Sequence, residues 1–454
     1  MSVIAAEPVA SPPRPAGWWL RSWLYTLNVG LVLFAIALGS STSDRLAVFL
    51  AVAVPVTFVP FAYARRRLHA RLVAFLERRH HLASSVIALT VGGMLLDAVM
   101  AAQLLTARSA ASIPYLQSAT VAWVGPVWFS AHALLFLGYV LLGAARGIAR
   151  VARWIRARVR PPIPPAEAAA GLVVNRRQFL QQLGIAGAGA PFIVSLSSIA
   201  LSYDFRLEER ELILPHWPKE LDGLRVAHLS DIHVGGAMNR QRLLHVAAIT
   251  SDARPDLVLH TGDFLTHRSG DFDTPLYEAL ARIRPSLGQW ACLGNHDFDQ
   301  PDRLVRRLRQ AGVETLRGRT VTLPIAGHPL ELAGMDFVFQ RSDRAELYRR
   351  VVGGWPARAD AARIVLNHDP SAFFSLPDDC ADLVLSGHMH GGQIGIQLDS
   401  AHALTLVGLL GIPDQGVFSH GDMRMYVTRC VGFYGYPLRV GIPPEIALLT
   451  LRSA

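Results

Sequence analysis

Leu224-Arg225-Val226-Ala227-His228-Leu229, followed by Ser230-Asp231-Ile232-His233, is a short apolar run of buried-strand type that stops abruptly in a polar cluster. The pattern returns four times. Asp256 to Thr261 runs into Gly262-Asp263, Trp290 to Leu293 into Gly294-Asn295-His296-Asp297, Arg363 to Leu366 into Asn367-His368, and Asp382 to Ser386 into Gly387-His388-Met389-His390. Gln241 to Asp252 and Pro301 to Ala311 read as helices between these runs. Strands alternating with helices define an α/β fold, and such folds gather ligands at the carboxyl ends of their strands. The five clusters are therefore expected to converge on one site.

The donors in those clusters are Asp, His and Asn, which suit divalent transition metals such as Mn, Fe or Zn. The cysteines Cys292, Cys380 and Cys430 lie far apart without C-x-x-C spacing, so neither a soft thiolate site nor a disulfide framework is expected. Asp231 and His233 stand two apart, as do His388 and His390, and on a strand residues i and i+2 share a face. Gly262, Gly294 and Gly387 precede Asp263, Asn295 and His388 and let the backbone turn sharply there. His228 and His260 read as packing or supporting strand residues, and His216, His328, His402 and His420 as surface or loop residues.

The order and spacing of the five blocks resemble the calcineurin-like metallophosphoesterases, over essentially all of the chain from about Leu224 to its end. The resemblance implies a four-layer αββα sandwich holding two divalent metal ions. It implies that Asp231, His233 and His390 bind one ion, Asn295, His368 and His388 the other, and that Asp263 bridges both. It also implies that His296, oriented by Asp297, either protonates the leaving oxygen or steadies the phosphoryl group during in-line attack of a metal-activated water on phosphorus. Many members place another acidic residue three positions after the bridging Asp; this chain has Thr266 and then His267, which become supporting or substrate-side candidates.

The block Gly387 to Gln393 and the terminal stretch from Tyr426 to Ile446 resemble a membrane-associated bacterial branch that carries twin-arginine signals and is related to UDP-diacylglucosamine pyrophosphatases. Arg429 and Arg439 in that stretch either meet a phosphate or form exposed salt bridges. The apolar segment Ala403 to Val417 either faces lipid beside the site or packs on the core.

The first two hundred residues differ in kind. The chain is 51% hydrophobic and 17% charged, with mean hydropathy +0.29, and its apolar runs crowd the N-terminal half. Runs long enough to span a bilayer extend approximately from Trp23 to Gly39, Leu46 to Tyr63, Ala83 to Leu105, Ala119 to Ala144 and Phe179 to Leu201. The net charge of +9 belongs largely to arginines beside these runs, Arg65 to Arg79 and Arg146 to Arg160, which marks topology rather than a nucleic-acid surface. The Arg-rich linkers are expected inside, so the N-terminus is cytoplasmic and everything after the fifth run lies outside. Asn175-Arg176-Arg177-Gln178-Phe179-Leu180 resembles a twin-arginine export signal before that fifth run. Asp97 and His132 are ionisable residues within the apolar runs, candidates for a buried pair or a proton-linked or lipid-handling role.

The expected organisation is a transmembrane bundle of about four helices over 1–160, a linker with the twin-arginine-like motif and a fifth span over 161–202, and the phosphoesterase domain over 203–454. The expected activity is two-metal hydrolysis of a phosphodiester or pyrophosphate of a cell-envelope lipid, on the outer side of the inner membrane. The expected partners are that phosphorylated, lipid-linked substrate, membrane lipids and the twin-arginine export machinery, with no nucleic acid. The alternatives are a cytoplasmic-facing nucleotide-lipid pyrophosphatase, and a transport or sensor protein with a regulatory phosphoesterase-like domain.

Overall fold

The structure is a computed structural model that describes residues 67, 70, 124–159, 190–235, 238–266, 273–353, 355, 361–399, 402–433 and 438–454. The chain divides into two compact units, Met1–Ile193 and Val194–Ala454.

In the first unit, α1 (Val124–Val159) is one continuous helix of 36 residues. The sequence reading ended this element at Ala144 and placed Arg146 to Arg160 in a linker. The helix instead runs straight through the arginines, because Ala and Arg are strong helix formers and no proline intervenes before Pro161. His132 is buried on it, edge-on to Phe192 with ring centres 5.6 Å apart; Asp97, its expected partner, lies outside the described residues. The runs Trp23 to Gly39, Leu46 to Tyr63 and Ala83 to Leu105, the proline-rich linker and the Arg176-Arg177 motif also lie outside them. Of the fifth run, residues 190–201 form a helix, α2. Among the described residues no helix is long and apolar enough to cross a membrane.

The second unit is built on two six-stranded mixed sheets. The first has the order β1 (Arg206–Leu214), β14 (Glu445–Ser453), β2 (Leu224–Leu229), β3 (Leu257–His260), β4 (Gln289–Ala291), β5 (Val313–Thr315). Strands β2 to β5 run parallel, whereas β14 is wedged antiparallel beside β2 with Leu448 opposite Ala227. The second sheet has the order β12 (Gly416–His420), β13 (Met423–Val427), β9 (Leu383–Ser386), β8 (Ala362–Leu366), β7 (His328–Gly334), β6 (Arg319–Ile325). Here β13, β9, β8 and β7 are parallel, so both sheets present a set of parallel carboxyl ends.

The alternation of side chains sets the layers. Leu224 and Val226 of β2 and Leu257 and Leu259 of β3 meet Leu330, Leu332, Ile364, Leu366, Leu383 and Leu385 of the other sheet in an apolar middle layer, with buried His228 against Tyr426 at its margin. The opposite faces take helices: Ala227, Leu229 and Val258 pack on α3 (Arg240–Asp252), α4 (Thr274–Leu280) and α5 (Pro301–Gln310). Ala333, Val365 and Val384 pack on Tyr348 and Val352 of α6 (Arg344–Val352). Both faces of the central strands are thus covered, which is why they read as unbroken apolar runs. The remaining pair, β10 (Gly395–Gln397) and β11 (Ala403–Thr405), forms a small antiparallel hairpin. It answers the question left by the segment from Ala403 to Val417: Leu404, Leu406, Leu409 and Leu410 are exposed and do not join the core.

Candidate metal centre

The carboxyl ends of β2, β3 and β4 carry Asp231 and His233, Asp263, and Asn295; those of β8 and β9 carry His368, and His388 and His390. The two sheets bring these seven residues together around two pockets. In one, Asp231 Oδ1 lies 3.3 Å from His390 Nε2 and 3.8 Å from His233 Nε2. In the other, His368 Nε2 lies 3.2 Å from Asn295 Oδ1 and 3.1 Å from His388 Nδ1. Asp263 Oδ2 reaches into both, 3.6 Å from His233 Nε2 and 3.3 Å from His368 Nε2.

Each carboxylate has one oxygen held by the protein and one turned inward. Asp231 Oδ2 accepts hydrogen bonds from Ser230 Oγ at 2.5 Å, from the His388 backbone N–H at 2.9 Å and from Cys430 Sγ at 3.1 Å. Its other oxygen is buried and, among the described residues, accepts no hydrogen bond. Asp263 Oδ1 likewise accepts the His296 backbone N–H at 2.8 Å, leaving Oδ2 to the pockets. His368 is oriented by its Nδ1, 2.6 Å from the Thr261 carbonyl, which turns Nε2 inward.

Electrostatics point the same way. Burial drives the imidazole of His390 down to about 3, and burial also lowers His233 and His388, so these rings offer lone pairs rather than charge. Burial works against a charged His368 too, but Asp263 and Asp231 outweigh it and lift that ring to about 10. Burial opposes the charge on Asp231, yet His390, His368 and His233 hold its carboxyl well below the usual range. Two buried carboxylates that draw positive charge, flanked by the neutral imidazoles of His233, His388 and His390, are a donor set that fits divalent cations.

The convergence is not made by strand alternation, as the i, i+2 spacing led us to expect. Asp231, His233, Asp263, His388 and His390 all have positive φ, between 49° and 67°, and lie beyond the strand ends. A left-handed backbone costs a non-glycine residue of order 1–3 kcal/mol and persists where the surroundings over-determine it. Those surroundings are visible. Thr266 Oγ1 donates to the His233 carbonyl at 2.9 Å, which gives Thr266 a supporting place; His267 lies outside the described residues. Asp297 does not orient His296: its carboxylate accepts the backbone N–H groups of Asp263, Phe264, Leu265 and Gly294, at 2.8 to 3.3 Å. It clamps the Asp263 loop to the Asn295 loop, although burial and Asp263 push its carboxyl up to about 7.

Two glycines serve close approach rather than turning. Gly294 and Gly387 have no positive φ, but a Cβ on Gly294 would overlap Asp263, and one on Gly387 would overlap Ser230 Oγ and Asp231 Oδ2. Gly387→Ala is expected to cost about 1–3 kcal/mol of stability by overpacking and to displace Asp231. Elemental analysis should find fewer than two metal ions per chain; full occupancy would refute this account.

Several expectations change. Arg429 and Arg439 are neither phosphate-facing nor exposed. Arg429 is buried between Glu208, at 2.6 Å, and Glu445, at 3.1 Å. Arg439 is buried and donates to the carbonyls of His390 at 3.2 Å, Arg429 at 2.8 Å, Cys430 at 3.1 Å and Gly432. Cys430 is brought beside Asp231, where burial, and then the nearby carboxylate, push its thiol up and Sγ donates to Asp231 Oδ2; with Asp231 and His390 it also forms a buried group of candidate metal donors that the sequence did not announce. His228 joins a relay in which its Nε2 lies 2.9 Å from Thr261 Oγ1, Thr261 donates to Ser230 Oγ at 2.7 Å, and Ser230 donates to Asp231. His260 instead lies 3.1 Å from Gln289 Oε1. His216, His402 and His420 are exposed and lie beside Asp422, Asp399 and Asp378, and His328, half-buried on β7, is 3.7 Å from Glu220. Phe337 was not singled out in the sequence, yet its ring centre lies 6.0 Å from those of both His368 and His388.

Comparison with known proteins places this geometry. Residues 224–392 match the family described as Calcineurin-like phosphoesterase. The chain is 30% identical over 231 residues, 49% of its own length and 82% of the relative's, to the uncharacterized metallophosphoesterase YkoQ of Bacillus subtilis. It is 29% identical to a Danio rerio protein named transmembrane protein with metallophosphoesterase domain, over 54% of this chain and 56% of that one. It is 24% identical to the UDP-2,3-diacylglucosamine pyrophosphatase LpxG of Chlamydia muridarum, over 52% of this chain and 86% of that one. The chain belongs to the calcineurin-like metallophosphoesterases, a family of hydrolases of phosphoester bonds that use a dinuclear metal centre.

Proposed function

We propose that this protein is a membrane-anchored, two-metal phosphohydrolase that cleaves a phosphodiester or pyrophosphate of a cell-envelope lipid outside the cytoplasm. The observation that carries the hydrolytic part is the position of Asp263, whose Oδ2 faces both donor pockets at once. In this reading Asp231, His233 and His390 hold one divalent ion, Asn295, His368 and His388 hold the other, and Asp263 is shared. When bound, the two ions activate water and neutralise phosphoryl oxygens. The half-buried His296, its ring edge-on to that of His233 at 5.2 Å, donates a proton to the leaving oxygen. A regulatory, inactive domain is disfavoured because no ligand of the set is missing.

The lipid and the membrane rest on different ground. The apolar N-terminal runs, the arginine bias, the twin-arginine-like motif and the names of the Danio rerio and Chlamydia relatives support them. The partners are then a phosphorylated, lipid-linked substrate, membrane lipids and the twin-arginine machinery, and nucleic acid is not among them.

The test is hydrolysis of bis-p-nitrophenyl phosphate by the full chain. Activity should appear with Mn2+, Fe2+ or Zn2+, vanish on chelation and return on adding metal. A folded chain inactive with all three would defeat the reading. A periplasm-active reporter fused to the C-terminus should be active; an inactive fusion would move the catalytic domain to the cytoplasm. Accumulation of one phosphorylated lipid after loss of the protein would identify the substrate, and an unchanged lipid profile would remove the lipid from the proposal.

A further inference from the structure

We propose that Cys430 is a further metal donor in the pocket of Asp231, His233 and His390, and that its sulfur makes this pocket take a thiophilic divalent ion such as Zn2+ in preference to Mn2+. The inference rests on the two-metal phosphohydrolase reading above and concerns which ion that pocket selects.

Topology delivers the sulfur. Strand β13 runs parallel to β9, and β9 to β8, so the segments that leave their carboxyl ends lie side by side. β8 delivers His368, β9 delivers His388 and His390, and the segment leaving β13 delivers Cys430. Hydrogen bonds to the backbone then fix Cys430 against both neighbouring donors. The N–H groups of Val431 and Gly432 donate to the carbonyls of Ser230 at 3.0 Å and Asp231 at 2.8 Å. The Arg439 guanidinium donates to the carbonyls of Cys430 and His390 alike, at 3.1 and 3.2 Å.

The spacing is that of donors sharing one ion. Groups held about 2.0–2.3 Å from a cation stand roughly 3–4 Å from one another. Cys430 Sγ lies 3.1 Å from Asp231 Oδ2, and Asp231 Oδ1 lies 3.3 Å from His390 Nε2. Asp231, His390 and Cys430 can each offer one donor atom within 4.8 Å of the others. A buried cysteine alone would be a packing group. Here Asp231 Oδ1 and His390 Nδ1, from the same three residues, are buried and have no hydrogen-bond partner among the described residues. A divalent ion is the largest charge in such a group and deprotonates the thiol that coordinates it, the proton passing to solvent. Thiolate suits Zn2+, whereas Mn2+ is better served by carboxylate, carbonyl and water.

Titration of the metal-free full chain with Co2+ tests this, because sulfur bound to Co2+ gives a near-ultraviolet charge-transfer band that nitrogen and oxygen donors do not give. The wild type should bind two ions and develop the band. Cys430→Ser, which keeps a hydrogen-bond donor for Asp231, should bind Co2+ without it. In competition, the preference for Zn2+ over Mn2+ should fall about tenfold or more in Cys430→Ser. Two Co2+ ions bound to the wild type without the band, a band that survives in Cys430→Ser, or an unchanged preference would overturn Cys430 as a donor while leaving the phosphohydrolase reading intact. A wild-type chain that binds no Co2+ would overturn both.

Discussion

Asp263→Asn should reduce turnover by about 10³-fold or more, the scale of losing several kcal/mol of transition-state stabilisation from a metal centre. The substitution keeps the shape and can keep the acceptor for the His296 N–H at 2.8 Å, because an amide oxygen can take the place of Oδ1. It removes the negative charge from Oδ2, the atom that lies within 3.6 Å of His233 Nε2 and 3.3 Å of His368 Nε2. A neutral amide nitrogen there is no ligand. Both pockets therefore weaken together, and elemental analysis should show loss of at least one ion per chain with little change in far-ultraviolet circular dichroism. Near-normal turnover with two ions retained would mean that the shared position of Asp263 has no part in the chemistry.

Arg439→Met should be the most destabilising single change outside the donor set. The Arg439 guanidinium, fully buried, gathers the carbonyls of His390, Arg429, Cys430 and Gly432. Methionine fills much of the volume but leaves those carbonyls in an apolar interior without this donor. Each orphaned group costs about 1–3 kcal/mol, and removal of a buried charge from its partners typically costs about 3–5 kcal/mol in all. A domain of this size loses roughly 2–4 °C of Tm per kcal/mol, so thermal unfolding should shift down by about ten degrees. Arg439→Lys should not rescue it, since one ammonium cannot reproduce the spread of a planar fork across four carbonyls. A Tm within two degrees of the wild type would contradict the role. The burial of Arg439 also lowers its own pKa, to about 10, which is tolerable only because so many carbonyl dipoles face it.

The parts of this protein that were legible in advance share a property: their signal is local. Leu224–Leu229 was found at its full extent, and Leu383–Ser386 within one residue, because an apolar run covered on both faces looks the same in sequence as in space. Asp231, His233, Asp263, Asn295, His368, His388 and His390 stand out because each follows such a run, and the structure brings them together at the carboxyl ends of the strands. The amphipathic α3 and α5 were also read to within one residue at each end. The far end of α1 is not legible, because arginines that follow an apolar run carry a loop signal although they are also good helix formers.

What remained hidden depends on contacts between distant parts of the chain. Cys430 and Asp231 stand 199 residues apart, and nothing near either one announces the hydrogen bond between them. Arg429 is buried between Glu208 of β1 and Glu445 of β14, and Arg439 under the carbonyls of His390, Arg429, Cys430 and Gly432, and no periodicity within Tyr426 to Ile446 distinguishes that from exposure. The left-handed φ of Asp231, His233, Asp263, His388 and His390 is the plainest case. Local preference disfavours that geometry for Asp and His, and it is held by Asp297, Thr266 and the room left at Gly387. Pattern was enough to read the α/β scaffold and the polar clusters at its strand ends, since hydrophobic periodicity acts over neighbouring residues. The aim of these side chains at two shared pockets came only with the packed sheets, because the left-handed backbone of Asp231, His233, Asp263, His388 and His390 is offset by partners that the chain meets only when folded.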